Sequence, residues 1–165
     1  MAFIDLDSED PQGNASFYNV NSGVGYGQPN LVEDVKVVQF FLKRLYTVPS
    51  MQDKKPYGEM VIDGKVGPIT RNWIVKTQII ATQKGTPALI DGIVDKAGNP
   101  QNADNLKTSI SHTNYTIRLI NTFLRRHDTA VYKTLATNPE VPGDVRTIFQ
   151  QIQAQGPPMN FGDQS

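Results

Sequence analysis

Two aspartates that each precede a glycine, in Asp63-Gly64 and Asp91-Gly92, are the first residues of this chain whose types and spacing suggest chemistry. Glycoside hydrolysis uses a pair of carboxylates at a set separation, one as acid and the other as base or nucleophile. The competing reading is structural. Aspartate ahead of glycine accepts bonds from nearby backbone N–H groups, and the glycine takes a positive φ. That reading is preferred, so both aspartates are expected to be turn formers and no catalytic residue is assigned. His112 and His127 are the only histidines and match neither H-x-H nor H-E-x-x-H, which leaves zinc hydrolysis without a visible ligand set. The chain has no cysteine, so thiolate nucleophiles, disulfides and Cys-based metal sites are excluded together. No G-x-S-x-G elbow is present. The run GVGYG at Gly23 to Gly27 resembles a phosphate-cradling loop but lacks the third glycine of the fingerprint and is read as a flexible turn. The basic FLRRH run, Phe123 to His127, is what the dipole at a helix C-terminus favours. No enzyme activity, cofactor or metal is expected.

The charge balance narrows the partners. Lys+Arg and Asp+Glu both number 16, so no global field draws nucleic acid or an anionic membrane. No stretch reaches the roughly 18 apolar residues of a membrane span, and MAFIDLDSEDPQG has neither the basic n-region nor the apolar h-region of a signal peptide. Synthesis in the cytoplasm is therefore expected; work outside the cell would require a non-classical export route or membership of a phage or secretion particle.

Helices must position whatever site exists. Residues 1–29 read as a loop-rich segment with one apolar-aromatic island, SFYNV, suited to a strand or to lying on the core. In NLVEDVKVVQFFLKRLY the residues Leu31, Val35, Val38, Leu42 and Leu45 recur at three- and four-residue steps, the stripe of an amphipathic helix. Asn30 is the expected N-cap, with Glu33 completing a capping-box pair. A second helix is expected from about Pro68 to Gln83. Pro68 fits its first position, Gly67 is expected to permit a tight approach, and Gly67→Val is expected to damage folding. Ile69, Trp73, Ile74, Thr77 and Ile80 lie on or near its inner side, so Trp73 is expected in the core, while Arg71, Asn72 and Lys76 face water. The stretch Ile90-Asp91-Gly92-Ile93-Val94 echoes Ile62-Asp63-Gly64-Lys65-Val66, too briefly to count as a domain-sized repeat. Further helices are expected on Ile117, Ile120 and Leu124 and on Val145, Ile148, Phe149 and Ile152, with a short one ending at Asn138-Pro139.

Val35, Val38, Gln39, Leu42 and Leu45, then Asp63-Gly64, Val66-Gly67-Pro68, Thr70, Trp73-Ile74 and Gln78, then Ile90-Asp91-Gly92-Ile93-Val94, together resemble the peptidoglycan-binding domain 1 family over roughly residues 20–98. The chain departs from that pattern at Trp73 and Thr77, which imply a repacked core, and at Asp95-Lys96, where the family has Gly-Pro before a third helix. The resemblance implies a mainly α fold: a small peptidoglycan-binding-like helical core over 30–105, with an irregular N-terminal segment. Additional C-terminal helices over 106–155 are expected to pack on the core, and a flexible tail over 156–165 to follow. It also implies attachment to the bacterial cell wall. Sugar recognition needs flat apolar faces beside hydrogen-bonding groups, which Tyr57, Lys65, Arg71, Asn72 and Lys76 supply around the first turn; the cations also suit the carboxylates of stem peptides. An ordinary solvated helix face explains the same residues. The turn itself is assigned to Asp63, Gly64, Gly67 and Pro68, and its echo to Asp91 and Gly92. Two partners are therefore expected as alternatives, peptidoglycan or a protein in a larger assembly such as a phage tail or contractile injection apparatus.

Overall fold

The computed structural model describes residues 1–6, 15–98 and 113–162; His112 lies outside them. The protein is mainly α. A two-stranded antiparallel sheet pairs β1 (Phe3–Leu6) with β2 (Ser16–Asn19), Ile4 opposite Tyr18, so the SFYNV island does form a strand. Helices α1 (Val32–Leu45), α2 (Pro68–Gln83), α3 (Thr116–His127), α4 (Thr129–Tyr132) and α5 (Gly143–Gln155) follow. Among the described residues no helix is long and apolar enough to cross a membrane.

Helix α1 is buried on several sides rather than along one stripe. Val37, Phe40 and Phe41 are enclosed together with Val35, Val38, Leu42 and Leu45, because α2, α3 and α5 all pack on it. Each such side chain contributes about 2 kcal/mol through removal from water. The predicted cap is corrected. Leu31 occupies the N-cap with no side-chain cap bond, while Asn30 takes φ +50° one residue earlier. Its amide instead grips Gly25, accepting from the backbone N–H and donating to the carbonyl, both at 2.8 Å. Asn30 thus closes the GVGYG loop, whose Val24 exchanges backbone bonds with Val94 at 3.0 and 2.8 Å. Asp34, in the first turn of α1, is fully buried and accepts from the N–H groups of Asn21 and Ser22. Burial holds its carboxyl above the usual range.

The C-terminal helices share the core of the N-terminal strands. Tyr18 of β2 meets Phe149 of α5 edge-on at 5.0 Å, and Phe41 of α1 stacks on Phe149 at 5.7 Å. Asn121 of α3 stands in for a third strand: it accepts from the Tyr18 N–H at 2.9 Å and donates to the Tyr18 carbonyl at 3.0 Å. The Tyr132 hydroxyl donates to the same Asn121 oxygen at 2.6 Å. Arg44, near the end of α1, holds Asp128 with two bonds of 2.8 and 3.0 Å, joining the C-terminal ends of α1 and α3. The last described residues, expected to fray, are held against this frame. Ser16 donates its N–H to the Asn160 carbonyl at 2.6 Å, and Phe161 packs edge-on against Tyr132.

Candidate functional site

The brief echo between the two Asp-Gly stretches is a tertiary repeat built on two buried glutamines. Gln39 projects from α1 into the first turn, where its carbonyl oxygen accepts from the N–H groups of Asp63 at 3.1 Å and Gly64 at 2.9 Å. Its amide nitrogen donates to the Lys65 carbonyl at 2.9 Å, and to Asp63 Oδ1 and Thr70 Oγ1, each at 3.1 Å. Gln78 does the same from α2. It accepts from Asp91 and Gly92 at 3.1 and 2.9 Å, and donates to the Ile93 carbonyl at 3.0 Å, Asp91 Oδ1 at 3.2 Å and Thr116 Oγ1 at 3.0 Å. In both turns the aspartate also accepts from the N–H two residues on, Lys65 or Ile93, at 2.9 Å. An amide, with one acceptor oxygen and two N–H donors, can satisfy a turn's inward N–H and C=O groups at once. This is why a glutamine sits inside each helix interface, with no apolar residue in its place.

Asp63 and Asp91 are therefore occupied as turn formers. The Lys65 N–H and the Gln39 amide hold the Asp63 carboxyl below the usual carboxylate range. Gly64 and Gly92 adopt φ of +77° and +73°. A Cβ on Gly64 would stand 2.8 Å from Val32 Cγ1, and one on Gly92 would stand 3.2 Å from Arg71 Cγ. The expectation for Gly67 is corrected. It is the extended N-cap of α2, at φ −117°, with nothing within 4 Å of the place a Cβ would take. The tight approach belongs to Gly64, three residues earlier.

Trp73 is in the core at 1% exposure, its indole N–H donating to the Tyr57 carbonyl at 3.2 Å. Tyr46 meets it edge-on at 5.4 Å and hydrogen-bonds Thr77 at 2.7 Å, so Trp73 and Thr77 share one cluster with Tyr46. Burial pushes the Tyr46 phenol up to about 12.

The five candidate ligand-binding residues lie around α2 without converging on one concavity. Arg71 leans toward the second turn, its guanidinium 5.6 Å from the Tyr26 ring centroid, and is half-buried. Asn72 and Lys76, one turn apart, are exposed on the outer face. Tyr57 is 97% exposed and lies beside Trp73, which at 100° per residue projects from the flank of α2 opposite Arg71. The Lys65 side chain is exposed at the first turn while its carbonyl serves the clamp. The described residues contain no cluster of three His, Asp or Glu side chains able to hold a metal.

A concavity lies elsewhere, between the C-terminal half of α2 and the length of α3. It has a volume of about 320 Å³ and is lined by residues that include Leu45, Met51, Ile80, Leu119 and Phe123, and by none of the five candidates. The sequence offered one hint of it, Phe123 placed beside the basic end of α3. Comparison with protein-family models, curated proteins and solved structures finds no match to this chain.

Proposed function

We propose that this chain is a non-catalytic module with a peptidoglycan-binding-like core that attaches to bacterial cell-wall peptidoglycan through glycan or stem peptide. The observation that carries the reading is the duplicated clamp. Gln39, Asp63, Gly64, Thr70, Gln78, Asp91 and Gly92, on which the resemblance rests, are the residues that build it. With both aspartates engaged in turns, Tyr57, Lys65, Arg71, Asn72 and Lys76 are left to present an aromatic ring, an amide and three cations at the surface. Those groups suit sugar faces and peptide carboxylates.

A second reading has its own support. In it the chain is a structural or adaptor subunit of a larger assembly, such as a phage tail or contractile injection apparatus, that keeps the fold without sugar. The C-terminal helices and the segment to Phe161 share one core with β2 and α1, so about half the packing lies outside the stretch that carries the resemblance.

Retention of the purified chain on insoluble peptidoglycan sacculi, with chitin and cellulose controls and across a salt range, separates the two. Selective, saturable retention is expected for the wall module, and a folded Arg71→Ala protein is expected to bind at least several-fold more weakly. Unchanged binding by that variant removes Arg71 from the site. No retention at any salt concentration replaces the wall module with the adaptor.

A further inference from the structure

We infer that the groove between α2 and α3 binds a single-chain amphiphilic anion, with an aliphatic tail along the groove and a carboxylate-type head at its basic rim, to which Lys84 and Arg126 both contribute. The inference is independent of the wall-binding surface, since none of its five candidate residues, Tyr57, Lys65, Arg71, Asn72 and Lys76, lines this groove.

The floor is apolar, with Met51, Ile80, Leu119 and Phe123 contributing to it. Two of the polar side chains that line it are already engaged: Thr77 with Tyr46 at 2.7 Å, and Gln78 with Thr116 at 3.0 Å. Of the cations in the lining, Arg118 is buried, its guanidinium 5.9 Å from the Phe17 ring centroid. Lys84 is exposed, its ammonium 3.5 Å from the Met51 sulfur, and neither it nor the exposed Arg126 forms an ion pair among the described residues. Among the described residues, no aspartate or glutamate lines the groove. An apolar trough bordered by uncommitted cations and free of acids complements a molecule that is apolar along its length and anionic at one end.

Size selects the class. Thr116 and His127 both line the groove, so it follows α3 for about 16 Å at 1.5 Å per residue. Its 320 Å³ corresponds to roughly ten waters at 30 Å³ each, near the lower end of small-ligand sites. A folded partner would need about 800 Å² of its own surface covered, far beyond this trough. An extended chain of roughly ten heavy atoms fits the volume and the length together.

Decanoate is the probe, titrated below its micelle concentration into the full chain and followed by methyl and amide NMR. Decan-1-ol tests the need for charge, acetate the need for the tail, and an acidic leucine-containing pentapeptide the rival occupant. The expected result is saturable one-to-one binding with shifts at Ile80, Leu119, Ile120 and Phe123, at least tenfold tighter for decanoate than for decanol, and no binding of acetate. K84Q/R126Q, which changes two exposed side chains, is expected to lose about tenfold in decanoate affinity while its affinity for decanol is unchanged. Thr122→Trp, which fills the trough from α3, is expected to abolish decanoate binding with the helical circular dichroism spectrum preserved. Silent groove resonances, equal affinity for decanol, wild-type binding by K84Q/R126Q, or tighter capture of the pentapeptide would each overturn the assignment.

Discussion

The two glutamine clamps use the same five kinds of contact and differ in how the chain is threaded through them. In the first, Asp63 and Thr70 are near neighbours, because Val66-Gly67-Pro68 leads straight into α2. In the second, residues 92–115 separate Asp91 from Thr116, which is the first residue of α3. After Asp91-Gly92 no helix forms over residues 93–98. Val94 pairs with Val24, and Ala97 exchanges two bonds with the Asn19 side chain at 3.0 and 3.2 Å. The clamp is thus defined by local stereochemistry and not by connection length, in keeping with the slow growth of loop-closure entropy with loop size.

Removing the glutamines is the most severe way to break the comparison. Gln39→Leu leaves the inward N–H groups of Asp63 and Gly64 and the Lys65 carbonyl buried without partners; Gln78→Leu does the same to Asp91, Gly92 and Ile93. A loss of about 3–5 kcal/mol is expected from each, read from the urea midpoint at constant slope. The two should then part in local behaviour. Hydrogen exchange should accelerate at the start of α3 only in Gln78→Leu, and at the start of α2 only in Gln39→Leu. Equal acceleration at both sites in both variants would mean that the clamps are not separate units.

The glycines sharpen the contrast at smaller magnitude. Gly64→Ala combines a positive φ with a contact of 2.8 Å to Val32 and is expected to cost about 2–3 kcal/mol. Gly92→Ala meets the Arg71 and Val75 side chains, each at 3.2 Å against the 2.8 Å contact at Gly64, and is expected to cost about 1–2 kcal/mol. Gly67→Val, which the sequence reading expects to damage folding, should cost under about 1 kcal/mol, because the position is open and only an N-cap preference is lost. An order in which Gly67→Val is the worst of the three would discredit the packing around the first turn.

The smallest expected effect is on pH dependence. Asp63 has a depressed pKa in the folded state, so its contribution is present above the unfolded value of 3.8 and is lost as pH falls through the lower folded value. Asp34 slopes the other way: burial raises its folded pKa, so its ionisation opposes folding as pH rises past 3.8. Denaturation midpoints measured from pH 5 to pH 2 should show the wild type losing its advantage over Asp63→Asn as the acid limit is approached. Parallel curves would show that the carboxylate charge is irrelevant to the clamp.

The helices were legible because their signals are local. Pro68 marks the start of α2, and Val145, Ile148, Phe149 and Ile152 mark the inner face of α5 at helical spacing. Asn30 illustrates the limit. Its residue type suits an N-cap, but the same amide finds both backbone groups of Gly25, two bonds in place of one, and the helix starts after Leu31. Gln39 and Gln78 were visible as polar interruptions of apolar helix faces. Their roles were not, since each closes contacts that span more than thirty residues of chain. The groove was less legible still, because Lys84 and Arg126 come to line one trough only through the packing of α2 and α3 on α1.

By itself, the sequence determined the helical class, the two Asp-Gly turns and the placement of Trp73 in the core. Those follow from backbone stereochemistry, side-chain periodicity and the cost of leaving an indole in water, all of which act within a few residues. Only the tertiary structure decided that the two turns are one device used twice, that the C-terminal helices complete the core of the N-terminal strands, and that a basic-rimmed apolar groove exists. Those depend on which buried polar groups find each other across the chain, a choice made when desolvated N–H and C=O groups must be satisfied together.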